Sequence, residues 1–129
     1  MIVVDSSVWI DHFSNRLGPA VERLRSMAPL SQVLVGDIVL IEVLRGARNE
    51  EQARKIEGRL LVFEIERMLD VDLALKAAAN HRRLRGLGIT IRSMPDLVIG
   101  TCCIERGHRL LHQDRDFDPM VEHLGLKIA

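Results

Sequence analysis

Five short apolar runs, separated by longer stretches of helical spacing, set the limits on how this chain can fold. They are Met1–Val4, Ser31–Val35, Leu61–Ile65, Arg109–Leu111 and Leu126–Ile128. Runs this short, made mostly of Val, Leu and Ile, read as strands buried on both faces. Between them the period changes. Asp5-Ser6-Ser7 offers N-caps for a short helix carrying Val8, Trp9, Ile10 and Phe13, and Gly18-Pro19 opens a second with Val21, Leu24 and Met27 on one face. Asp37 caps a helix over Ile38–Ala47, and Glu50–Leu60 is a charged, exposed one. Asp70–Leu87 is the longest, with Ala74, Ala77, Ala78 and Leu84 turned inward and Gly86 and Gly88 stopping it. Ser93-Met94-Pro95-Asp96 has the makings of a helix start: Ser as N-cap, Pro early, an acid at the third position. That helix runs to Arg106 and ends at Gly107, and a last one covers Phe117–Leu124. Strands alternating with helices predict an α/β fold, a parallel sheet of four to five strands covered on both faces, in one domain over residues 1–129.

Composition narrows the partners. With one Trp, three Phe and no Tyr, the core must be aliphatic. Formal net charge is zero, so charge as a whole points to no polyanion. Two local basic stretches, His81-Arg82-Arg83-Leu84-Arg85 with Arg92, and Arg106 with His108 and Arg109, are most simply solvated faces, although a local stripe is enough to contact phosphates. No apolar stretch approaches the length of a membrane span, and no basic leader precedes the opening run, so a cytoplasmic protein is expected. Cys102 and Cys103 are adjacent, match no metal-ligand spacing, and read as two small core residues in a reducing compartment.

Acidic residues stand where apolar runs end or are interrupted. Asp5 follows Ile2-Val3-Val4, Glu42 splits Val39-Leu40-Ile41 from Val43-Leu44, Asp96 precedes Leu97-Val98-Ile99, and Asp114 and Asp116 follow Leu110-Leu111. A carboxylate beside buried apolar residues is costly unless its charge is compensated. Parallel sheets bind ligands at the carboxyl ends of their strands. Asp5, Asp114 and Asp116 lie just past two such ends, and Asp96 and Glu42 lie on helices whose starts face the same edge. Gathered there, they would need a hard divalent cation, Mg²⁺ or Mn²⁺, and the chemistry such a site supports is phosphodiester hydrolysis by activated water. Each acid alone has a plainer reading. Asp5 is a helix cap, Asp96 complements a helix dipole, Glu42 pairs with Arg45, and Asp114 and Asp116 are turn residues. One shared site explains them together better than four coincidences. Nucleotide-loop, phosphate-loop and serine-hydrolase motifs are absent. His108 and His112 flank a strand, so His112 is a hydrogen-bonding residue near the site rather than a zinc ligand.

In order and spacing these segments resemble a PIN-domain ribonuclease of the VapC type, the toxin of a toxin–antitoxin pair, over essentially the whole chain. The residues that carry the resemblance are Ile2–Asp11 with Asp5, Ile41–Ala47 with Glu42 and Arg45-Gly46, Asp96–Gly100, and Leu110–Phe117 with Asp114. His112 stands where many members have Thr, but Arg92-Ser93 fits a subgroup with His there. Gly100 stands where Ala is common, and either is small enough for close helix packing. The resemblance implies an α/β/α sandwich and Mg²⁺- or Mn²⁺-dependent cleavage of structured RNA, transfer RNA or a ribosomal loop, with one or two ions. It implies that Asp5, Asp96 and Asp114 hold metal, directly or through water, while Glu42 and Asp116 complete the pocket and Ser7 assists Asp5. Which of Asp114 and Asp116 is the direct ligand stays open. Homodimerisation is implied, as is a VapB-type antitoxin that lays a helix in a groove and points a basic side chain at the acids. Arg45, Arg82, Arg83, Arg85 and Arg92 are then candidates for the RNA path, Arg45 having the rival role of orienting Glu42. Two competing functions remain: a catalytically silent module that holds a partner's basic segment in the acidic pocket, and a metal-dependent phosphatase acting on small esters.

Overall fold

Val3 and Val4 are fully buried at the centre of a parallel sheet. The computed structural model describes residues 1–27 and 29–129. Its strands are β1 (Ile2–Val4), β2 (Val33–Gly36), β3 (Glu64–Glu66), β4 (Arg109–Leu111) and β5 (Lys127–Ile128), in the order β3-β2-β1-β4-β5. Every described pairing is parallel, with Val3 opposite Leu34 on one side and Leu110 on the other. The chain builds outward from β1 to β2 and β3, then returns to the far side of β1 to add β4 and β5. The order therefore reverses between β1 and β4, and this switch point opens a crevice at the carboxyl edge of the sheet.

The helices are α1 (Ser6–Phe13), α2 (Pro19–Arg25), α3 (Asp37–Leu44), α4 (Glu50–Leu60), α5 (Val71–Gly86), α6 (Met94–Arg106) and α7 (Asp118–Leu124). α1 packs on α2 and α3, and α3 on α4; α5 packs on α6 and α7. Right-handed crossovers put these two groups on opposite faces, giving the expected α/β/α layering. Val21, Leu24 and Met27 are all buried, as their spacing predicts. α6 starts and stops as expected: Ser93 caps it, and Gly107 closes it at φ 69° in the left-handed region. Cys102 and Cys103 are fully buried on this helix, and burial pushes the Cys102 thiol up to about 11, so it stays protonated and inert.

Several boundaries differ from the sequence reading. Leu30–Gln32 is a 3₁₀ turn, so β2 begins only at Val33. Asp37 is the first residue of α3, with Gly36 as its cap. The Asp37 carboxylate accepts from the N–H of Ile38 at 2.8 Å and of Met68 at 3.0 Å, tying the start of α3 to the segment after β3. Leu61–Phe63 is a turn, and the edge strand is Glu64–Glu66. On α5 the inward residues are Leu73, Ala77 and Leu84, whereas Ala74 and Ala78 are exposed. Gly100 is also more constrained than its small size suggested. A Cβ there would lie 2.5 Å from Met120 Sδ and 2.6 Å from its Cε, so in this chain alanine requires Met120 to move.

Candidate active site

Asp5 ends β1 and caps α1. Its own N–H donates to the carbonyl of Leu111 at 2.9 Å, the last rung between β1 and β4. The side chain is 3% exposed. Oδ2 accepts from the Ser7 hydroxyl at 2.7 Å and the Ser7 N–H at 3.4 Å, while Oδ1 is buried with no hydrogen-bond partner. Burial raises the Asp5 pKa, the Ser7 bonds oppose the shift, and the charge of Asp114 adds to it.

Glu42 projects from α3 and is half-buried; its Oε1 accepts from the Ser6 hydroxyl at 3.1 Å. Burial also raises its pKa, and Asp5 contributes in the same direction. Asp96, at the third position of α6, is 7% exposed. Its carboxyl is pushed up to about 7, first by burial and then by the charges of Asp5, Asp114, Glu42 and Asp116. Asp114, in the loop after β4, caps a short 3₁₀ turn, Arg115–Phe117, that carries Asp116. Asp114 Oδ1 accepts from the Asp116 N–H at 2.9 Å, and the Asp114 N–H donates to His112 Nδ1 at 3.2 Å. The His112 ring leans on Phe117, centroids 4.9 Å apart. Carboxylate oxygens of Asp96, Asp114 and Asp116 lie within 4.8 Å of one another.

The five predicted acids thus converge on the switch point. None of them is in an ion pair among the described residues. Clustered carboxylates with no ion-paired protein cation among the described residues, hard oxygen donors and an orphaned carboxylate oxygen on Asp5 together fit a divalent cation of the Mg²⁺ type. Asp96, Asp114 and Asp116 present the tight triad, and Asp5 and Glu42 flank it through the Ser6–Ser7 turn.

The predicted basic residues are placed less uniformly. Arg45 is the C-cap of α3, exposed, and its charge favours the ionised form of Glu42 without a direct bond. Arg82, Arg83 and Arg85 are exposed on the last turns of α5, and Arg92 is exposed in the link to α6. One contact had no sequence signal. The Gln113 amide nitrogen donates to the carbonyl of Ser7 at 3.2 Å and to Asp11 Oδ2 at 2.7 Å. Its partners lie more than 100 residues away, at separations of 106 and 102, where no local pattern reaches.

Fold and site together define a parallel α/β protein with an uncompensated acidic pocket at its topological switch point. The family described as PIN domain matches residues 2–121. Ribonuclease VapC11 of Mycobacterium tuberculosis is 28% identical over 132 residues, covering 100% of this chain and 98% of its own. Ribonuclease VapC51 of the same species is 32% identical over 108 residues, covering 78% of this chain and 73% of its own. Among solved structures, VapBC2 from Rickettsia felis bound to a promoter DNA fragment shares the fold with TM-score 0.80 at 17% identity, covering 100% of this chain and 98% of that one. The chain belongs to the PIN-domain family, in its VapC ribonuclease branch.

Proposed function

We propose that residues 1–129 act as one PIN unit, a Mg²⁺- or Mn²⁺-dependent endoribonuclease and the toxin of a VapBC-type pair, cleaving structured RNA such as transfer or ribosomal RNA. The observation that carries this reading is the meeting of five carboxylates, without a cationic partner, at the switch point. Asp96, Asp114 and Asp116 would hold the cation, with the free Oδ1 of Asp5 as a further donor. A bound divalent ion supplies an acidified water and neutralises charge on the scissile phosphate.

The chain's own groups do the rest. Ser7 fixes Asp5 from two donors, and Ser6 holds Glu42, so both carboxylates keep one orientation before substrate arrives. Glu42, its pKa raised by burial, is suited to orient the attacking water and take up its proton. Arg45 and, further out, Arg82, Arg83, Arg85 and Arg92 supply fixed cations for the RNA backbone.

The homologues' names and the shared VapBC2 fold support an antitoxin partner. A cavity of about 430 Å³ between α1, α3 and α4, lined by Ile10, Phe13, Val43 and Ile56 together with Arg48 and Gln52, offers a seat of mixed polarity for its helix. Ile10, Leu17 and Ile41 are exposed apolar residues on the same group of elements or their connection, which favours self-association or partner binding. Among the described residues no helix is long and apolar enough to cross a membrane.

The test is cleavage of a total RNA pool by purified protein with Mg²⁺ or Mn²⁺, with and without chelator, beside Asp96→Asn. Metal-dependent cuts that vanish in the variant support the reading. A folded protein that cleaves no RNA would instead favour a silent binding module, and turnover of small phosphate esters with indifference to RNA a phosphatase.

A further inference from the structure

Gln113 is an exposed residue, and an exposed amide loses nothing by facing water. Here both of its N–H groups are engaged, on the Ser7 carbonyl and the Asp11 carboxylate. Both partners are acceptors only, so the nitrogen end of the amide must face them. Ser7 and Asp11 lie one turn apart on α1, and Gln113 directly precedes Asp114. Ser7 is also the residue whose N–H and hydroxyl grip Asp5. An unbroken chain of bonds therefore runs from the Asp114–Asp116 loop through Gln113 and Ser7 to Asp5. Around the loop itself, the His112 and Asp114 bonds are local and fix only its internal shape. The backbone rung from Asp5 to Leu111 lies before the loop begins. Of the side chains in the loop, Gln113 alone reaches across to α1 among the described hydrogen bonds.

We infer that Gln113 is a positioning residue: its amide tethers the loop carrying Asp114 and Asp116 to the first turns of α1, and so sets the gap between the two halves of the acidic pocket. The inference rests on the proposed divalent-cation site and names a residue that acts on it through Asp114 and Ser7. Charge and tether give opposite signs for one variant. Gln113→Glu adds a negative charge near a cation site, which by itself would tighten binding, but it sets a carboxylate against the Asp11 carboxylate and the Ser7 carbonyl, which breaks the tether.

Mn²⁺ titration of the chelator-treated full chain reads the outcome. Gln113→Leu and Gln113→Glu should each weaken Mn²⁺ binding by about tenfold, the scale of supporting-shell changes at metal sites. The melting temperature of metal-free Gln113→Leu should stay within about 2 °C of the parent, as for a surface substitution. Where RNA is cleaved, kcat should fall with little change in KM. The swapped pair Gln113→Glu/Asp11→Asn keeps the parent's net charge and restores a donor–acceptor bond to position 11 but leaves the Ser7 carbonyl without its donor, so it should bind Mn²⁺ more tightly than Gln113→Glu and less tightly than the parent. Unchanged or tighter Mn²⁺ binding in Gln113→Glu, or no recovery in the swapped pair, would overturn the inference. Parent protein that binds Mn²⁺, loses affinity on Gln113→Leu and cleaves no RNA would remove the nuclease reading and keep the tether. Parent protein that binds no Mn²⁺ would overturn both.

Discussion

Asp96 sits at a helix N-terminus, where the dipole by itself would lower a carboxyl pKa. Its carboxyl is instead pushed up to about 7 from 3.8, so burial and four neighbouring acids outweigh the dipole. The direction has a consequence for stability. Between those two values the folded protein holds a proton that the unfolded chain has released, so metal-free stability is greatest at the acid end and declines as pH rises from about 4 through about 7. Asp5 and Glu42 are raised as well and add to the same slope. Thermal melts in chelator should therefore show the melting temperature falling from pH 5 to pH 8. Asp96→Asn should flatten the decline and raise the metal-free melting temperature at pH 8, while reducing metal-dependent cleavage by at least about 100-fold. A parent that gains stability over that range would contradict the pocket's electrostatics. Gly100 makes a smaller case. Alanine there must push aside the tip of Met120, a flexible thioether, and it gains about 1 kcal/mol of helix propensity. Denaturant melts should place Gly100→Ala within about 1 kcal/mol of the parent, and Gly100→Val, which brings a second branch into the same space, well below it.

Among the elements, α6 was the most legible in sequence because its signals are local: Ser93, Pro95 and Asp96 at one end, Gly107 at the other. β3 was the least legible. It is an edge strand whose Glu64 and Ile65 face solvent, and the apolar Leu61-Val62 before it, 54% and 77% exposed, imitate a strand from within a turn. On α5 the expected inward residues Ala77 and Leu84 are buried, whereas Ala74 and Ala78 are exposed, because alanine tolerates either side of a helix. The far end of α6 depends on a contact that spacing could not reveal. Arg106 reaches Glu66 Oε1 at 2.6 Å, the Met68 carbonyl at 3.3 Å and the carbonyl of Arg67, while His108 lies 3.6 Å from the same Glu66 oxygen. One guanidinium thus fastens the end of α6 to the segment between β3 and α5. Arg106→Met should cost about 1–3 kcal/mol in urea unfolding, because it leaves a partly buried carboxylate and two carbonyls unpaired. Loss of less than about 0.5 kcal/mol would show that water replaces the guanidinium. Since Arg106 bonds none of the five acids, Mn²⁺ affinity should be retained.

Across the whole molecule, the acids were legible because each follows or interrupts a buried run, and a parallel sheet sends such positions to one edge. Their supports were not: Ser6 to Glu42, His112 to Asp114, and Gln113 to Ser7 and Asp11 all depend on how loops are set by the sheet order. The same sheet order makes the pocket a point where folding, protons and cations are linked. It joins the end of β1, the end of β4, α3 and α6, so a cation bound there bridges segments from both halves of the chain. A ligand that binds only the folded state raises stability with its concentration. The carboxylates must be ionised to bind it, and the Asp96 carboxyl, raised to about 7, means that part of the binding energy goes into proton release below that pH, with Asp5 and Glu42 raised in the same direction. Mg²⁺ or Mn²⁺ should therefore raise the melting temperature more at pH 8 than at pH 5.5, opposite to the trend in the metal-free protein. At a cation concentration of about 100 times Kd the gain reaches about 2.7 kcal/mol, several degrees for a domain of this size. Calorimetry in buffers of different ionisation heat should detect proton release on binding near pH 6 and its disappearance near pH 8.5. Equal stabilisation at both pH values, with no proton release, would place the cation away from these five carboxylates, and the pocket would then be a cluster of turn and cap residues.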